Sequence, residues 1–338
     1  MKAISFAVCC YNSAAYMSIC IDSLLTAKDD VEIIVVDDGS TDETGAVGDR
    51  YAAEYPDTVR VIHKENGGHG SGIMAAYKIA VGKYFKVVDS DDWVNEKTLV
   101  SLISRIKGGA ENPDLYVTDY DYFHGSKNDL VRHIGFGNVF PKAREITWKE
   151  TWLFSVSEYL TLHSCMFRTQ LIKDSDIQLP LKTFYEDNYF IYGLLPRVKT
   201  LVYVDEVFYC YNVGREGQSV DKAVGIRRYR DHLRVAELIF SSADVRSYRR
   251  HNRRLARTLY HHLRLVFMIA VLHTRMRKTP EAKADLKAFF ARLRKNNLRQ
   301  YRRLRYFSLA TPICWPGFPG MAMTNLIYWF AHVVVPFN

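Results

Sequence analysis

The sequence predicts an α/β protein with a mainly parallel sheet, followed by a basic helical region. Up to about residue 122, short apolar runs rich in β-branched residues alternate with amphipathic helical patterns. Beyond about residue 220, apolar side chains recur every three or four residues, as in Arg253–Thr274. With 338 residues, 48% hydrophobic and 25% charged, the chain can hold one large domain plus a helical appendage. The composition excludes a disordered or integral membrane protein.

The first part of the chain repeats a strand-then-helix order. The predicted strands are Ile4–Cys9, Glu32–Asp37, Val59–His63, Tyr84–Asp89 and Leu115–Asp119. The predicted helices lie near Tyr16–Leu25, Glu43–Tyr55, Ser71–Val81 and Glu96–Lys107. This order predicts parallel strands with helices on both faces of the sheet. Ligands are then expected beyond the carboxyl ends of the strands.

The pattern is looser from about residue 123 to 220. It predicts a strand at His163–Phe167 and a hairpin of Thr200–Val204 with Val207–Tyr211. These elements are expected to complete the sheet and to shape the pocket of a second substrate. We therefore divide the chain into a catalytic domain (1–220), a basic helical domain (221–305) and an uncharged aromatic tail (306–338).

Charge and cysteine use bear on location and partners. The net charge of +9 conceals an asymmetry, because residues 221–310 carry 24 Lys or Arg against 6 Asp or Glu. Such a basic region implies an anionic partner. The six cysteines show no CxxC pairing, which favours free thiols in a reducing compartment. Because the apolar run after Met1 is too short for a signal peptide, we expect a cytoplasmic protein.

The tail from Tyr306 to Asn338 contains no Asp, Glu, Lys or Arg. Its apolar stretch Met321–Val335 is shorter than the ~20 residues that span a bilayer. Two interpretations stay open. The tail is either an in-plane anchor on an anionic membrane at its inner face, aided by the preceding basic helices, or a helical cap packed on the protein itself.

The run Asp89-Ser90-Asp91-Asp92 follows a predicted buried strand. Crowded carboxylates repel one another, and a hard divalent cation among them makes the arrangement favourable. Mg²⁺ or Mn²⁺ combines carboxylates with phosphate oxygens, which implies a diphosphate-bearing substrate. The alternative makes Asp92 the N-cap of the next helix and Asp89 a turn residue.

A second acidic turn, Asp37-Asp38-Gly39-Ser40, ends another predicted strand. The carboxylate of Asp38 is suited to accept a hydrogen bond from a base N–H such as that of uracil. Aspartates are common in turns without any ligand, so this turn is ambiguous alone. Both clusters are expected at one crevice, and their coincidence favours a ligand site.

The order of several motifs resembles the family-2 glycosyltransferases of the GT-A fold over roughly residues 3–215. The matching stretches are Ala7–Asn12, Cys20–Leu25, Val35–Thr44, Asn66–Gly72, Val88–Trp93 and Tyr185–Asn188. The resemblance implies an inverting transfer of a hexosyl or N-acetylhexosaminyl group from a nucleotide sugar, expected to be a UDP-sugar. The implied acceptor is a hydroxyl of a glycan or lipid-linked intermediate of a bacterial cell-surface polysaccharide. Mn²⁺ or Mg²⁺ is the implied cofactor.

The resemblance also implies a role for individual residues. Asp187 would be the general base and Glu186 would orient it. Asp91, with Asp89, would hold the cation, and Asp38 would contact the base. The implied donor-binding residues are Cys10, Tyr11, Asn12, Asp38, Gly68, Ser71, Asp89, Ser90, Arg215, Gln218 and Ser219. Gln218 departs from the His that many relatives have in this late loop, Arg215–Ser219, which would close over the diphosphate.

Two other functions compete with this one. Gly70–Ala75 matches G-x-G-x-x-A, the pattern of a dinucleotide-binding oxidoreductase, but it follows the third strand and leaves both acidic clusters unexplained. A non-catalytic protein that binds a membrane or nucleic acid is the other alternative. Because the basic helices lack aromatics arranged for base stacking, we expect no nucleic acid partner. The oligomeric state is not predicted.

Several other side chains are compatible with a ligand role but are more typical of structure. His69 and His163 are interpreted as structural or solvated rather than as metal ligands. Four aromatic residues are suited either to stack on sugar rings or to fill the core: Trp93, Trp148, Trp152 and Tyr185.

Overall fold

The computed structural model describes residues 2–215 and 217–334, and these form two compact units. The first unit comprises Met1–Trp152 with Leu160–Val213, and the second comprises Leu153–Tyr159 with Gly214–Asn338. The division therefore falls at residue 213, a few residues before the expected boundary. Segment 153–159 joins the second unit, and so does the tail.

The first unit contains ten strands among the described residues. They are β1 (Ile4–Cys10), β2 (Val31–Asp37), β3 (Val59–His63), β4 (Tyr84–Asp89), β5 (Trp93–Val94), β6 (Leu115–His124), β7 (Leu130–Ile134), β8 (Glu145–Thr147), β9 (Cys165–Arg168) and β10 (Thr200–Val213). Its α-helices are α1 (Met17–Leu25), α2 (Thr44–Glu54), α3 (His69–Ile79), α4 (Glu96–Gly108), α5 (Thr169–Ser175) and α6 (Asp187–Leu194).

The sheet is mixed but mainly parallel, which confirms the predicted fold class. Its order is β3-β2-β1-β4-β9-β6-β10-β5, with β7 beside β6 and β8 beside β10. Strands β3, β2, β1 and β4 run parallel, as do β6 and β10, whereas β9 is antiparallel to its two neighbours. Every residue of β2 is buried, which requires cover on both faces of the sheet.

The register of the central strands decides where the site lies. Cys10, at the end of β1, is paired with Asp37 of β2, and Cys9 is paired with Asp89 of β4. The carboxyl ends of three neighbouring strands therefore meet at one edge, and the acidic turns that follow β2 and β4 flank the end of β1. This is the crevice expected for a parallel α/β sheet.

Two local predictions were wrong. Thr200–Val213 is one strand rather than a hairpin, because the chain continues along β6 and absorbs Asp205 and Glu206 in an irregularity of the register. Asp92 is not a helix N-cap. Asn95 caps α4 instead, and its side chain accepts hydrogen bonds from the backbone N–H groups of Lys97 and Thr98.

The second unit is helical. It contains α7 (Lys222–Arg227), α8 (Tyr229–Ser242), α9 (Val245–Arg249), α10 (Arg253–Met276), α11 (Pro280–Asn296), α12 (Leu298–Tyr306) and α13 (Gly317–Val334). Among the described helices, α10 alone has the length and apolar composition of a membrane span, but 67% of its apolar window is buried inside the protein, as in the core helix of a soluble protein.

Candidate active site

The ends of β1, β2 and β4 are joined by short polar side chains. Asn12, which has a φ of +51°, accepts a hydrogen bond from Thr41 N at 2.9 Å. Ser13 N donates to Thr44 Oγ1 at 2.7 Å, and Ser13 Oγ lies 2.8 Å from Ser90 Oγ. These contacts hold the turns after three strands in one arrangement. The sequence identified Asn12 and Ser90 but missed Ser13, whose partners are far away in the chain.

Asp38 is buried and its carboxylate is occupied by the protein itself. Oδ1 accepts hydrogen bonds from Lys64 Nζ at 2.5 Å and from Gly67 N at 2.9 Å. Oδ2 accepts one from Gly68 N at 2.7 Å, where the backbone has a φ of +85° that favours glycine. Ser71 Oγ adds a bond at 3.2 Å. Asp38 therefore organises the loop before α3, and its contact with a nucleotide base stays a prediction.

His69, the first residue of α3, connects the two acidic regions that the sequence singled out. Its Nδ1 lies 2.8 Å from Glu186 Oε1, and its Nε2 lies 3.1 Å from Asp89 Oδ1. Burial disfavours the imidazolium, but the hydrogen bond to Glu186 and the ion pair with Asp89 outweigh it and raise the pKa of His69 well above its usual value. A charged His69 thus compensates two carboxylates. Of the two roles that the sequence favoured for His69, structural or solvated, the structure therefore supports the structural one.

Glu186 and Asp187 lie at the start of α6. Glu186 is almost fully buried, and Asn188 Nδ2 donates to Asp187 Oδ1 at 3.1 Å. Burial, with the negative charge of Glu186, raises the pKa of Asp187 to about 7. A carboxylate with a pKa near neutrality is suited to take a proton from a hydroxyl group, because it is available as a base and gains a proton readily.

Tyr209 joins the two ends of the Asp89–Asp92 run. Its hydroxyl donates to Asp92 Oδ2 at 2.5 Å and accepts from Asp89 N at 3.1 Å. Asp92 is fully buried and also accepts from Asn212 N at 2.8 Å. Burial and the charges of Asp91 and Asp89 raise the pKa of Asp92 well above its usual value. For Asp89, burial acts in the same direction, but the ion pair with His69 outweighs it and lowers the pKa of Asp89.

A divalent cation fits one group of side chains among the described residues. One ligand atom each from Asp89, Asp92 and His163 lies within 4.8 Å of the others. Burial lowers the pKa of His163 to about 4, so its imidazole is neutral, and the buried Nδ1 has no hydrogen-bond partner in the described part of the chain. A neutral imidazole and two carboxylates are chemically suitable for Mn²⁺. Asp91 is outside this group, and its role as a metal ligand stays a prediction.

A buried lysine holds the segment that carries His163 in place. Lys86, in the middle of β4, donates from Nζ to the carbonyl oxygens of Leu162 at 2.7 Å and His163 at 2.6 Å. Burial lowers the pKa of Lys86 to about 7. Its contacts fix the segment that carries His163 against β4. A lysine inside an otherwise apolar strand was the one sequence signal for it.

The remaining predicted residues divide into three sets. Cys10 is buried and Tyr11 is exposed at the end of β1. Arg215, Gln218 and Ser219 belong to the second unit, where Arg215 N donates to Gln218 Oε1 at 3.1 Å, and Glu216 lies outside the described residues. Of the aromatic candidates, Trp93 and Trp148 are core residues, whereas Trp152 is exposed and Tyr185 has a φ of +67° directly before Glu186.

The glycines of the G-x-G-x-x-A match have a packing explanation. A Cβ on Gly70 would lie 2.8 Å from Glu186 Cγ, and one on Gly72 would lie 2.8 Å from Cys9 Sγ. They let α3 approach β1 and Glu186 closely. Nothing in this arrangement favours a dinucleotide.

Comparison with known proteins identifies the family. The model of glycosyl transferase family 2 matches residues 5–173, which is half of the chain and includes the ends of β1, β2 and β4. The chain belongs to glycosyl transferase family 2. The matched range ends before Glu186 and Asp187, so their assignment depends on the motif resemblance and on the geometry described above.

Two curated relatives are bacterial glycosyltransferases. The uncharacterized glycosyltransferase EpsJ of Bacillus subtilis is 30% identical over 218 residues, which cover 62% of this chain and 60% of EpsJ. The poly(ribitol-phosphate) beta-N-acetylglucosaminyltransferase TarS of Staphylococcus aureus is 28% identical over 254 residues, which cover 72% of this chain and 42% of TarS. The chain therefore spans less than two thirds of the length of each relative.

Solved structures support the same fold. Residues 1–349 of S. aureus TarS in complex with UDP-GlcNAc align with a TM-score of 0.61 and 23% identity, covering 90% of each chain. The mannosyltransferase PcManGT of Pyrobaculum calidifontis, in complex with GDP-Man and Mn²⁺, aligns with a TM-score of 0.52 and 16% identity over 100% of this chain and 89% of that one. The GT-A fold implied by the motifs is thereby confirmed.

Proposed function

We propose that the protein is an inverting, cation-assisted glycosyltransferase that moves a sugar from a nucleotide sugar to a hydroxyl group of a glycan or lipid-linked acceptor. The observation that carries the proposal is the bridge of His69 between Asp89 and Glu186. It brings the carboxylate at the end of β4 and the carboxylates at the start of α6 to a single site. One end is suited to the donor diphosphate and the other to the acceptor hydroxyl.

In the proposed reaction, Asp187 takes the proton of the acceptor hydroxyl as the oxygen attacks the anomeric carbon. The new carbon–oxygen bond forms while the bond from that carbon to the diphosphate oxygen breaks, and the nucleoside diphosphate leaves with the electron pair. One displacement inverts the configuration at the anomeric carbon. The raised pKa of Asp187 supports its role as the base.

The residues of the chain divide the remaining tasks. Asp89, Asp92 and His163 would hold a divalent cation, with Asp91 as the predicted additional ligand. When bound, Mn²⁺ or Mg²⁺ supplies a positive charge that offsets the negative charge developing on the leaving diphosphate. The role that the motif resemblance implies for Arg215 stays a prediction. His69 orients Asp89 and Glu186, and its charge lowers the pKa of Asp89.

Uridine is the proposed nucleoside of the donor. The solved TarS complexes contain UDP-GlcNAc or UDP, whereas the PcManGT complex contains GDP-Man. The greater similarity to TarS favours a UDP-sugar, and the relatives favour a cell-surface polysaccharide as the acceptor class. The identity of the sugar depends on pocket contacts that differ among these proteins.

Calorimetric titration of the full chain with UDP, GDP and NADH tests the donor class. In the presence of Mn²⁺ we expect UDP to bind at least tenfold more tightly than GDP, on the order of 1.4 kcal/mol. NADH should not bind. If GDP bound more tightly than UDP, the proposed nucleoside of the donor would be guanosine instead of uridine. Binding of NADH alone would overturn the proposed glycosyltransferase reaction.

A further inference from the structure

The last helix of the second unit is docked on the protein by one face. Gly320, Thr324 and Tyr328 follow one another at four-residue intervals and so share a face of α13. A Cβ on Gly320 would overlap with Trp315 O, so only glycine allows this approach. Thr324 is fully buried, and the ring of Tyr328 lies 4.4 Å from Lys222 Nζ. The tail therefore packs on its own protein, but only one face of α13 takes part in this packing.

The opposite face of α13 is exposed and mainly apolar, with the exposed Asn325 at its edge. Phe318, Ala322 and Leu326 are spaced by four residues, and Trp329 follows three residues later, which places all four on one stripe. Phe318 is 83% exposed and Trp329 is 61% exposed. A helix on the surface of a soluble protein normally turns its polar face to water. In α13 the stripe that faces the solvent carries no charged residue, so its apolar side chains face water instead of the protein interior.

Apolar side chains are also exposed in the segment that joins α12 to α13. The connection between the two helices exposes Phe307 (78%), Leu309 and Trp315. It is anchored by Arg275, whose guanidinium donates to Trp315 O at 2.8 Å and to Gly317 O at 3.3 Å. Large apolar side chains exposed in such number mark an interaction site more often than ordinary surface.

The neighbouring helix α12 presents a basic face. Its exposed residues Leu298, Arg299, Arg302, Arg303 and Tyr306 lie within one arc of the helix, opposite the buried Tyr301 and Leu304. Arg299 and Arg302 form no ion pair within the described part of the chain. The second unit thus exposes arginines on α12 and aromatic and aliphatic side chains on the following segment and on α13, and these are the two chemistries that a lipid headgroup and acyl chain require.

We propose that α12, the connecting segment and the exposed stripe of α13 form a docking surface for an anionic lipid bilayer. The aromatic side chains enter the interfacial region while the arginines contact the headgroup phosphates. The helix lies in the plane of the membrane rather than crossing it. This places the second unit at the surface where a lipid-linked acceptor would be presented, although the docking itself does not depend on the proposed reaction.

Vesicle co-sedimentation with the full chain tests the proposal. The probes are vesicles of phosphatidylcholine alone and vesicles with about 30 mol% phosphatidylglycerol. Wild-type protein should bind the anionic vesicles, and the binding should weaken at high salt. The double variant Arg299→Gln/Arg302→Gln should lower the partition coefficient about 25-fold. Phe318→Ser/Trp329→Ser should lower it about tenfold or more.

Matched variants exclude a general surface effect. Trp152→Ser removes a tryptophan that is 63% exposed in the first unit, and Arg50→Gln/Arg197→Gln removes two exposed arginines from that unit. Both should leave the partition coefficient unchanged. Circular dichroism of every variant verifies that the fold is retained.

Three results would overturn the proposal. The first is that the wild-type protein does not bind anionic vesicles, and the second is that the matched variants lose binding to the same extent. The third is that the wild-type protein does not bind vesicles but forms a dimer in sedimentation velocity, and that Phe318→Ser/Trp329→Ser dissociates this dimer. The last result would make this surface an interface between two copies of the chain. The assay contains no nucleotide sugar, so its failure leaves the proposed reaction standing, and failure of the reaction leaves this proposal standing.

Discussion

The imidazole Nδ1 of His69 lies 2.8 Å from Oε1 of Glu186, a residue 117 positions later in the chain. The same ring reaches Asp89 with its other nitrogen at 3.1 Å. Amide side chains can imitate these two contacts separately, because Asn carries its nitrogen near the position of Nδ1 and Gln near that of Nε2. The two halves of the bridge are therefore separable by mutation.

We expect His69→Asn to retain the contact with Glu186 and to lose that with Asp89, so it should mainly raise the KM for the donor. His69→Gln should do the reverse and mainly lower kcat. Each effect should be about 10- to 100-fold, as for other residues that orient ligand-holding groups. Steady-state kinetics at varied donor concentration measure both constants. His124→Ala, on an exposed side chain, is the control, and equal effects of both substitutions on both constants would contradict the separation.

Asp187→Asn should leave binding of the donor intact and lower kcat for transfer by about 10²- to 10⁴-fold, because the amide cannot accept the proton of the acceptor. Calorimetry with UDP and Mn²⁺ measures the binding, and product formation measures the transfer. Asp174→Asn changes an exposed carboxylate in the same unit and should have no effect. Transfer at the wild-type rate in Asp187→Asn would remove Asp187 from the role of base.

The pH dependence of kcat/KM follows from the pKa of Asp187, which burial raises to about 7 in the free enzyme. Below that pH the carboxyl group is protonated and cannot act as a base, so kcat/KM should fall about tenfold per unit as the pH drops. It should level off above the pKa. Rates measured from roughly pH 5 to 9 verify the profile. A profile that is flat across neutrality would show that another group takes the proton.

Asp38→Ala tests whether this carboxylate is structural or contacts the nucleotide. The substitution leaves Lys64 and the N–H groups of Gly67 and Gly68 without their acceptor, and should lower the free energy of unfolding by about 3 kcal/mol. Urea unfolding measures that loss. If stability were unchanged while the affinity for UDP fell, the direct contact with the base expected from the sequence would be supported instead.

Two strands of the parallel part of the sheet were predictable because their sequences are unambiguous. β3 and β4 have the bounds expected from the sequence, since each is a short apolar run that ends in a polar residue at the sheet edge. The continuous strand β10 was not predictable, because Asp205 and Glu206 resemble a turn and so favoured a hairpin at 200–211. Pairing of β10 with β6, from a distant part of the chain, keeps the strand continuous there.

In the site, too, short motifs were predictable from the sequence, whereas contacts between distant residues were not. The acidic runs after β2 and β4 and the pair Glu186-Asp187 are recognisable as motifs. The residues that connect these motifs, such as His69 and Tyr209, are not recognisable from the sequence, because their hydrogen-bond partners are far away in the chain. The group of Asp89, Asp92 and His163 likewise exists only after folding, since His163 comes from the segment before β9.

Release of nucleoside diphosphate from a panel of nucleotide sugars, with Mn²⁺ and without acceptor, is the decisive measurement for a cation-assisted donor site. We expect slow hydrolysis of at least one UDP-sugar by the wild-type protein. Hydrolysis should stop when EDTA removes the cation, and it should be abolished by Asp91→Ala while Asp121→Ala, on a carboxylate of β6, retains it. Hydrolysis that persists in EDTA, or no hydrolysis of any UDP-sugar in the panel, would contradict a cation-assisted donor site at the ends of β1, β2 and β4.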